Sequence, residues 1–199
     1  MHFHPVDLAI YAAHGGFWAA FVGARFASRH KAPPADKGPA AVEKKTAKHS
    51  HLLVWLHFVA FGVMYCGIGI AVFFGGTPKW FSGQQIAGAI VIGAGAILAV
   101  TAVWYFRSWR FRAEVTAGHQ LATGGPFAIW RHPIYTALTL LALGTALWIP
   151  SPIVWIGFIL MALGSDLRGR AEEKLLLQTF GSDYIAYRAR TWRFVPGLY

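Results

Sequence analysis

The fold of this chain is decided by its longest uncharged stretch, residues 134–165, which reads IYTALTLLALGTALWIPSPIVWIGFILMALGS. The stretch is interrupted at Pro150-Ser151-Pro152, where proline prevents a helix from continuing undisturbed. The sequence therefore predicts a helical hairpin with Ser151 at its tip. Two polar motifs, Gly125 to Tyr135 and Arg168 to Glu173, lie at its open ends. Folding at Ser151 brings both motifs to one membrane surface.

Other long uncharged segments precede the hairpin. Residues 8–24, 52–74 and 86–106 carry no Asp, Glu, Lys or Arg, in a chain that is 56% apolar and 13% charged. A membrane-spanning helix needs about 20 mostly apolar residues, so the middle two segments qualify outright, whereas residues 8–24 and each half of the hairpin are shorter. The pattern predicts an all-α integral membrane bundle of about five transmembrane helices with a cytosolic C-terminal cofactor-binding region.

The chain divides into two parts. Residues 1–111 form N-terminal transmembrane helices with a basic cytosolic linker at residues 28–50, and residues 112–199 form a C-terminal module of hairpin and amphipathic tail. The composition of residues 166–180 predicts that the last helix continues beyond the membrane and stops at Gly181. Small residues in the middle helices predict close helix packing at Gly62, Gly67, Gly69, Gly88, Gly93 and Gly95.

The charge distribution predicts the orientation. Net charge is +10, yet only Lys79 of the eighteen basic residues lies in a predicted outside loop, as the positive-inside rule expects. This explains the charge better than nucleic-acid binding does. Residues 1–7 lack the Lys or Arg that a signal peptide requires. We expect a bacterial-type inner-membrane protein with its N-terminus outside and its cofactor site and C-terminus in the cytosol. A lone Cys66 excludes an intrachain disulfide, and no metal site is expected.

Counting from the tip predicts which polar groups meet. His132 lies nineteen residues before Ser151 and Arg170 nineteen after it, so equal helical rise puts them at similar depth. Arg168 and Glu172, four residues apart, share one helix face. We therefore predict a polar cluster at the cytosolic boundary, where a soluble cofactor and a membrane-dissolved substrate can meet.

Each motif has its own chemistry. Pro133 suits the first position of a helix, and the free N–H groups that follow form a small anion site. Glu172 can accept hydrogen bonds from amine or hydroxyl donors, and Arg168 can hold an anionic acceptor. Both motifs also have a purely structural explanation. Arg168 and Glu172 can form a solvated ion pair, and His132-Pro133 can simply start a helix. His14 and His57 lie inside predicted spans, where a histidine is either functional or hydrogen-bonded between helices.

Taken together, the motifs resemble a known family. The run from His119 to Phe127, then Arg131 to Tyr135, then Arg168 to Glu173 with Phe180-Gly181, Tyr184 and Tyr187, resembles the isoprenylcysteine carboxyl methyltransferases. These belong to a wider group of integral-membrane methyltransferases that includes phospholipid N-methyltransferases. The resemblance covers residues 112–196. Phe127 departs from it, because a tyrosine is common there, and the polar amide often found near Arg112 is also missing.

The resemblance implies S-adenosylmethionine as the methyl donor, bound in a cytosolic pocket. Arg168 would face the acceptor and, with Glu172, form the catalytic pair. The residues implied at the cofactor are His119, Gln120, Leu121, Ala122, Phe127, His132, Pro133, Ile134, Tyr135 and Glu172.

The predicted function is methylation of a lipophilic acceptor such as an isoprenylcysteine carboxylate. Three alternatives remain open: methylation of a phospholipid amine, NADPH-dependent reduction, and a non-enzymatic membrane protein. The expected partners are a lipophilic or lipidated substrate and membrane lipids, with no nucleic acid. The oligomeric state cannot be predicted.

Overall fold

The computed structural model describes residues 4–29, 45–46, 50–74, 77, 81–105, 114–115 and 121–199. Within these ranges the chain forms six α-helices: α1 (Pro5–Arg29), α2 (Ser50–Phe73), α3 (Gly83–Tyr105), α4 (Pro133–Trp148), α5 (Pro152–Phe180) and α6 (Ser182–Ala189). A 3₁₀ turn at Gly125–Ala128 precedes α4. Two-residue strands, β1 (Lys45–Thr46) and β2 (Glu114–Val115), pair antiparallel with Lys45 opposite Val115. The predicted helical class is confirmed.

Three of the described helices, α2 from His51, α3 and α5, are long and apolar enough to cross a membrane. The helix α1 has 25 residues, and α4 is a shorter apolar helix of 16. The predicted count of five spans therefore stays a prediction. The helix α1 runs to Arg29, so the first residues of the predicted linker are helical, and most of the remainder lies outside the described residues.

The ends of the hairpin helices follow from local backbone chemistry. Pro133 and Pro152 stand at the first positions of α4 and α5, where their missing N–H groups cost nothing. The residue before Pro150, Ile149, is extended and ends α4, as proline requires of its predecessor. Gly181 has φ of 51° and separates α5 from α6. The predictions of a continued last helix and a stop at Gly181 are both confirmed.

The helices pack in pairs that join the two halves of the chain. The helix α3 packs along α4, α2 packs along α5, and α1 lies against α3, while α4 and α5 also touch each other. At the α3–α4 crossing a Cβ on Gly88 would lie 2.6 Å from the Gly144 carbonyl oxygen, so only glycine fits. Gly67 and Gly95 also lie at such contacts. A Cβ on Gly62, Gly69 or Gly93, by contrast, would have no described atom within 4 Å.

Candidate functional site

The first polar motif begins with the 3₁₀ turn, which lies against the end of α3. Gly125 has φ of 56°, and a Cβ there would lie 2.5 Å from the Tyr105 ring, so the turn requires glycine. Phe127 follows with its ring buried. The Tyr187 hydroxyl of α6 donates to the Phe127 carbonyl at 2.8 Å. The turn is thereby held between α3 and α6.

The helix α4 starts directly after this turn. His132 is its N-cap, with φ of −128° and ψ of 59°, and Pro133 is its first residue. The His132 carbonyl accepts from the backbone N–H and the hydroxyl of Thr136, at 3.0 and 3.1 Å. The N–H groups of the first turn have no partner within the helix.

Three side chains from both motifs meet at the start of α4. The Tyr135 hydroxyl donates to Glu172 Oε1, and Arg168 Nε lies 3.4 Å from the same oxygen. The Arg168 guanidinium also lies over the Tyr135 ring, 5.0 Å from its centroid. Arg168 is only 5% exposed. The Arg168–Glu172 pair is therefore part of a packed cluster and not a solvated surface pair.

His132 lies between two carboxylates of α5. Its Nδ1 is 3.5 Å from Glu172 Oε2, and its Nε2 is 3.4 Å from Glu173 Oε1. Burial by itself lowers the pKa of His132, but hydrogen bonding and charge from Glu172 and Glu173 outweigh it, so the pKa is raised above its ordinary value. Each ring nitrogen thus faces one carboxylate oxygen at ion-pair distance. The geometry favours a protonated imidazole held between the two carboxylates.

A second ion cluster, which the sequence did not predict, lies beside the first. Glu173 accepts from Arg131 Nε at 2.9 Å and from Arg193 Nη2 at 2.7 Å, and its side chain is 7% exposed. Hydrogen bonding to Glu173 raises the pKa of Arg193. Arg193 also contacts Asp166 and Tyr199. The available signal was the position of Arg131 and Glu173 next to the predicted residues His132 and Glu172.

The C-terminal tail closes over this region. Trp192 forms a parallel β-bridge with Trp130, and the Arg131 N–H donates to the Trp192 carbonyl at 2.7 Å. The Phe194 ring lies 5.8 Å from the His132 ring. The tail is therefore hydrogen-bonded along the first polar motif, and its Phe194 ring covers His132.

The structure places most predicted site residues near one another. His132, Tyr135, Arg168 and Glu172 form the cluster described above, and Pro133 and Ile134 lie in its first helical turn. Leu121 and Ala122 are half-buried just before the 3₁₀ turn, and Phe127 belongs to the main hydrophobic core. His119 and Gln120 lie outside the described residues. The roles assigned to these residues stay predictions.

Two buried histidines connect helices. His14 of α1 contacts the Tyr65 hydroxyl at 3.0 Å and the Thr145 hydroxyl at 2.8 Å, which links it to α2 and α4. His57 of α2 contacts the Leu53 carbonyl at 3.0 Å and Ser165 of α5 at 3.4 Å. Of the two alternatives given for these histidines, hydrogen bonding between helices agrees with these contacts. In the described ranges, no three His, Cys, Asp or Glu side chains form a group that could hold a metal ion.

Comparison with known proteins gives two findings. A family model described as "Phospholipid methyltransferase" matches residues 84–183, about half of the chain. A protein-S-isoprenylcysteine O-methyltransferase from Dictyostelium discoideum is 32% identical over 82 residues, which cover 41% of this chain and 35% of that relative. The aligned part thus spans about a third of the relative's length. The matched region begins inside α3 and contains α4, α5 and the polar cluster.

Proposed function

The chain belongs to the phospholipid methyltransferase family, and on that premise we propose that it is an S-adenosylmethionine-dependent enzyme that methylates a lipophilic carboxylate, such as that of an isoprenylcysteine. Its apolar helices and its family indicate an integral membrane protein. The observation that carries the proposal is the cluster of His132, Tyr135, Arg168 and Glu172 at the start of α4. We propose that the cluster is cytosolic and that residues 112–199 form the methyltransferase module.

The donor set suits S-adenosylmethionine, which carries a carboxylate, an amine and a sulfonium charge. The N–H groups in the first turn of α4 would hold the carboxylate, and the positive charge of a protonated His132 beside them would favour it. Glu172 would accept from the amine and balance the positive charge. When bound, the cofactor supplies a methyl group on a sulfonium, open to in-line displacement by an aligned nucleophile.

The charges around the cluster favour a carboxylate acceptor over an amine. A carboxylate is already nucleophilic, so the protein needs only to orient it, and Arg168 can do so through paired hydrogen bonds. An ammonium must first lose a proton to a base. The carboxylates on both sides of His132 raise the pKa of its imidazole, which favours the protonated form that cannot act as a base. Glu172 is a poor base as well, because the donors of Tyr135 and Arg168 stabilise its ionised form.

Methylation of a phospholipid amine is the second candidate, and the description of the matching family model favours it. This candidate would use the same cofactor site and differ only at the acceptor. NADPH-dependent reduction and a role without catalysis are the remaining alternatives, and both predict that S-adenosylmethionine does not bind.

The test is calorimetric titration of the purified, detergent-solubilised protein with S-adenosylmethionine and, separately, with NADPH. We expect saturable binding of S-adenosylmethionine that weakens about ten- to a hundred-fold in Glu172→Gln, the loss typical of a hydrogen bond to a charged group. His132→Gln should weaken it similarly. Arg170→Gln is the matched control, because Arg170 lies on the same helix with its side chain 55% exposed.

The acceptor is then identified by methyl transfer to two probes, an S-farnesylcysteine derivative and phosphatidylethanolamine in vesicles. We expect transfer to the carboxylate probe. Transfer to phosphatidylethanolamine alone would establish the second candidate. Unchanged cofactor affinity in both Glu172→Gln and His132→Gln, or binding of NADPH in place of S-adenosylmethionine, would overturn the proposal.

A further inference from the structure

His57 is a buried histidine next to the polar cluster, on a helix outside the matched region. It lies in α2, whereas the family match begins at residue 84. His57 is 6% exposed and packs where α2 crosses α5. A Cβ placed on Gly164 of α5 would lie 3.4 Å from His57 Cε1, which shows how close the two helices are. Burying a histidine in a membrane span costs free energy, so such histidines are rare and are candidates for a functional role. The contacts of His57 indicate which role.

The hydrogen bonds of His57 assign its tautomer. A carbonyl oxygen only accepts, so the contact of Nδ1 with the Leu53 carbonyl at 3.0 Å puts the proton on Nδ1. In the neutral ring Nε2 then has a lone pair, and it faces the Ser165 hydroxyl at 3.4 Å. Ser165 is the donor in this pair. His57 therefore accepts a hydrogen bond from Ser165 of α5 at its Nε2 atom.

Ser165 continues the connection toward the site. The Thr139 hydroxyl of α4 lies 2.9 Å from the Tyr135 carbonyl and 3.2 Å from Ser165 Oγ, and it can donate its one proton to either, so it brings α4 and α5 into polar contact beside Tyr135. Arg168 and Glu172 follow Ser165 by three and seven residues, so the three side chains lie on one face of α5. The hydroxyl that His57 holds is thus on the same face as the predicted catalytic pair.

The Tyr135 ring is enclosed by three cationic or heteroaromatic groups. The His132 ring stacks on it at 5.7 Å and 16°, the His57 ring lies 5.8 Å away, and the Arg168 guanidinium is 5.0 Å from its centroid. His132 and Arg168 come from the matched region, and His57 alone comes from α2. Removing His57 would open one side of the ring whose hydroxyl holds Glu172.

We propose that His57 is a positioning residue of the methyl-transfer site: by holding Ser165 and supporting the Tyr135 ring, it keeps the Tyr135 hydroxyl on Glu172. The inference rests on the proposed function, since it concerns the same site. It gives α2 a part in that site, although α2 lies outside the family match. His57 itself does not touch the reacting atoms in this proposal.

His14 provides the matched control. It is equally buried and links helices through Tyr65 and Thr145. Thr145 lies ten residues beyond Tyr135 on α4, which is about 15 Å along the helix. A histidine with a purely structural task in this bundle should behave like His14, and a positioning residue should not.

The test compares His57→Asn with His57→Gln by calorimetric titration with S-adenosylmethionine. An asparagine amide can replace Nδ1 toward Leu53 but is too short to reach Ser165, whereas a glutamine amide extends to the position of Nε2. We expect His57→Asn to raise the dissociation constant about ten-fold at unchanged stoichiometry, within the loss that a misplaced site can cause. His57→Gln should recover most of the affinity. His14→Asn should lower the melting temperature but leave the affinity unchanged.

Stoichiometry separates positioning from unfolding, because a misfolded fraction lowers the number of sites without changing their affinity. A double variant with Tyr135→Phe adds a further criterion: if His57 acts through Tyr135, the two effects are less than additive. Wild-type affinity in His57→Asn, or full additivity with Tyr135→Phe, would overturn the inference and leave the proposed function standing. Failure of the wild-type protein to bind S-adenosylmethionine would refute the proposed function first.

Discussion

At the scale of single residues, the protonation of His132 links structure to chemistry. Its imidazole is buried between Glu172 and Glu173, so the charged form gains two anionic neighbours that it lacks in the unfolded chain. The same two contacts hold the carboxylates of Glu172 and Glu173 in place. A protonated His132 thus stabilises the fold and fixes the position of Glu172 in the candidate cofactor site.

This pairing predicts a pH-dependent stability. The pKa of His132 is raised above its ordinary value of 6.5, so its contribution is complete below about pH 6.5 and is lost as pH rises through the raised value. We expect the difference in melting temperature between the wild-type protein and His132→Gln to shrink as pH increases from neutral to alkaline. Thermal unfolding in detergent across this range measures it. A difference that grows with pH would contradict the protonated pair.

Much of the cluster could be predicted from the sequence, because equal distances from Ser151 imply equal depth. That reasoning brought His132, Arg168 and Glu172 together, as the structure does. Arg170, counted level with His132, is exposed and contacts Asp166 and Tyr199 instead. The Glu173–Arg131–Arg193 cluster could not be predicted, because it depends on the tail returning to pair with Trp130. Such a contact between distant segments has no periodicity that a sequence would reveal.

At the scale of elements, the length of α4 sets the depth of the site. Sixteen helical residues span about 24 Å, less than the roughly 30 Å of a hydrocarbon core. In the proposed topology, with the Ser151 tip outside, the polar residues at its start would lie near the opposite membrane boundary. The uncharged stretch predicted the hairpin, but only the structure shows that α4 and α5 pack along α3 and α2.

The α3–α4 contact yields a prediction about glycine. A Cβ on Gly144 would lie 2.7 Å from the Gly88 carbonyl oxygen, and backbone cannot move aside as a flexible side chain can. We expect Gly144→Ala to destabilise the protein by about 1–3 kcal/mol, the usual cost of overpacking. Gly93→Ala is the control, since no described atom lies within 4 Å of its Cβ. Equal unfolding midpoints for the two variants in denaturing detergent would show that the helices do not approach this closely.

At the scale of the whole molecule, the tail is held by a buried ion cluster and not by apolar packing alone. Arg193 has 13% of its side chain exposed and pairs with Glu173, which is 7% exposed. Removing one partner of such a buried pair costs far more than removing an exposed one. The arginine of the exposed Arg170–Asp166 pair, at 2.7 Å, is the natural comparison.

We expect Arg193→Gln to accelerate tryptic cleavage after Arg188 and Arg190 several-fold, because cleavage there requires local opening of the tail. The Arg188 carbonyl also accepts from Arg131 Nη1 at 3.2 Å, so release of the cluster frees the scissile backbone. Arg170→Gln, which loses only exposed contacts with Asp166 and Tyr199, should accelerate cleavage less than Arg193→Gln does. Equal rates in both variants would mean that the cluster does not hold the tail.

Orientation in the membrane is the remaining property of the whole molecule, and the charge distribution predicts it. Seventeen of eighteen basic residues lie on one predicted side, which the positive-inside rule assigns to the cytosol. In a Cys66→Ala background expressed in bacterial cells, Ser151→Cys at the hairpin tip should react with a membrane-impermeant maleimide from outside. Ser182→Cys, at the start of α6, should react only after the membrane is permeabilised. The reverse labelling would put the polar cluster outside the cell, away from the cytosolic S-adenosylmethionine that the proposed reaction requires.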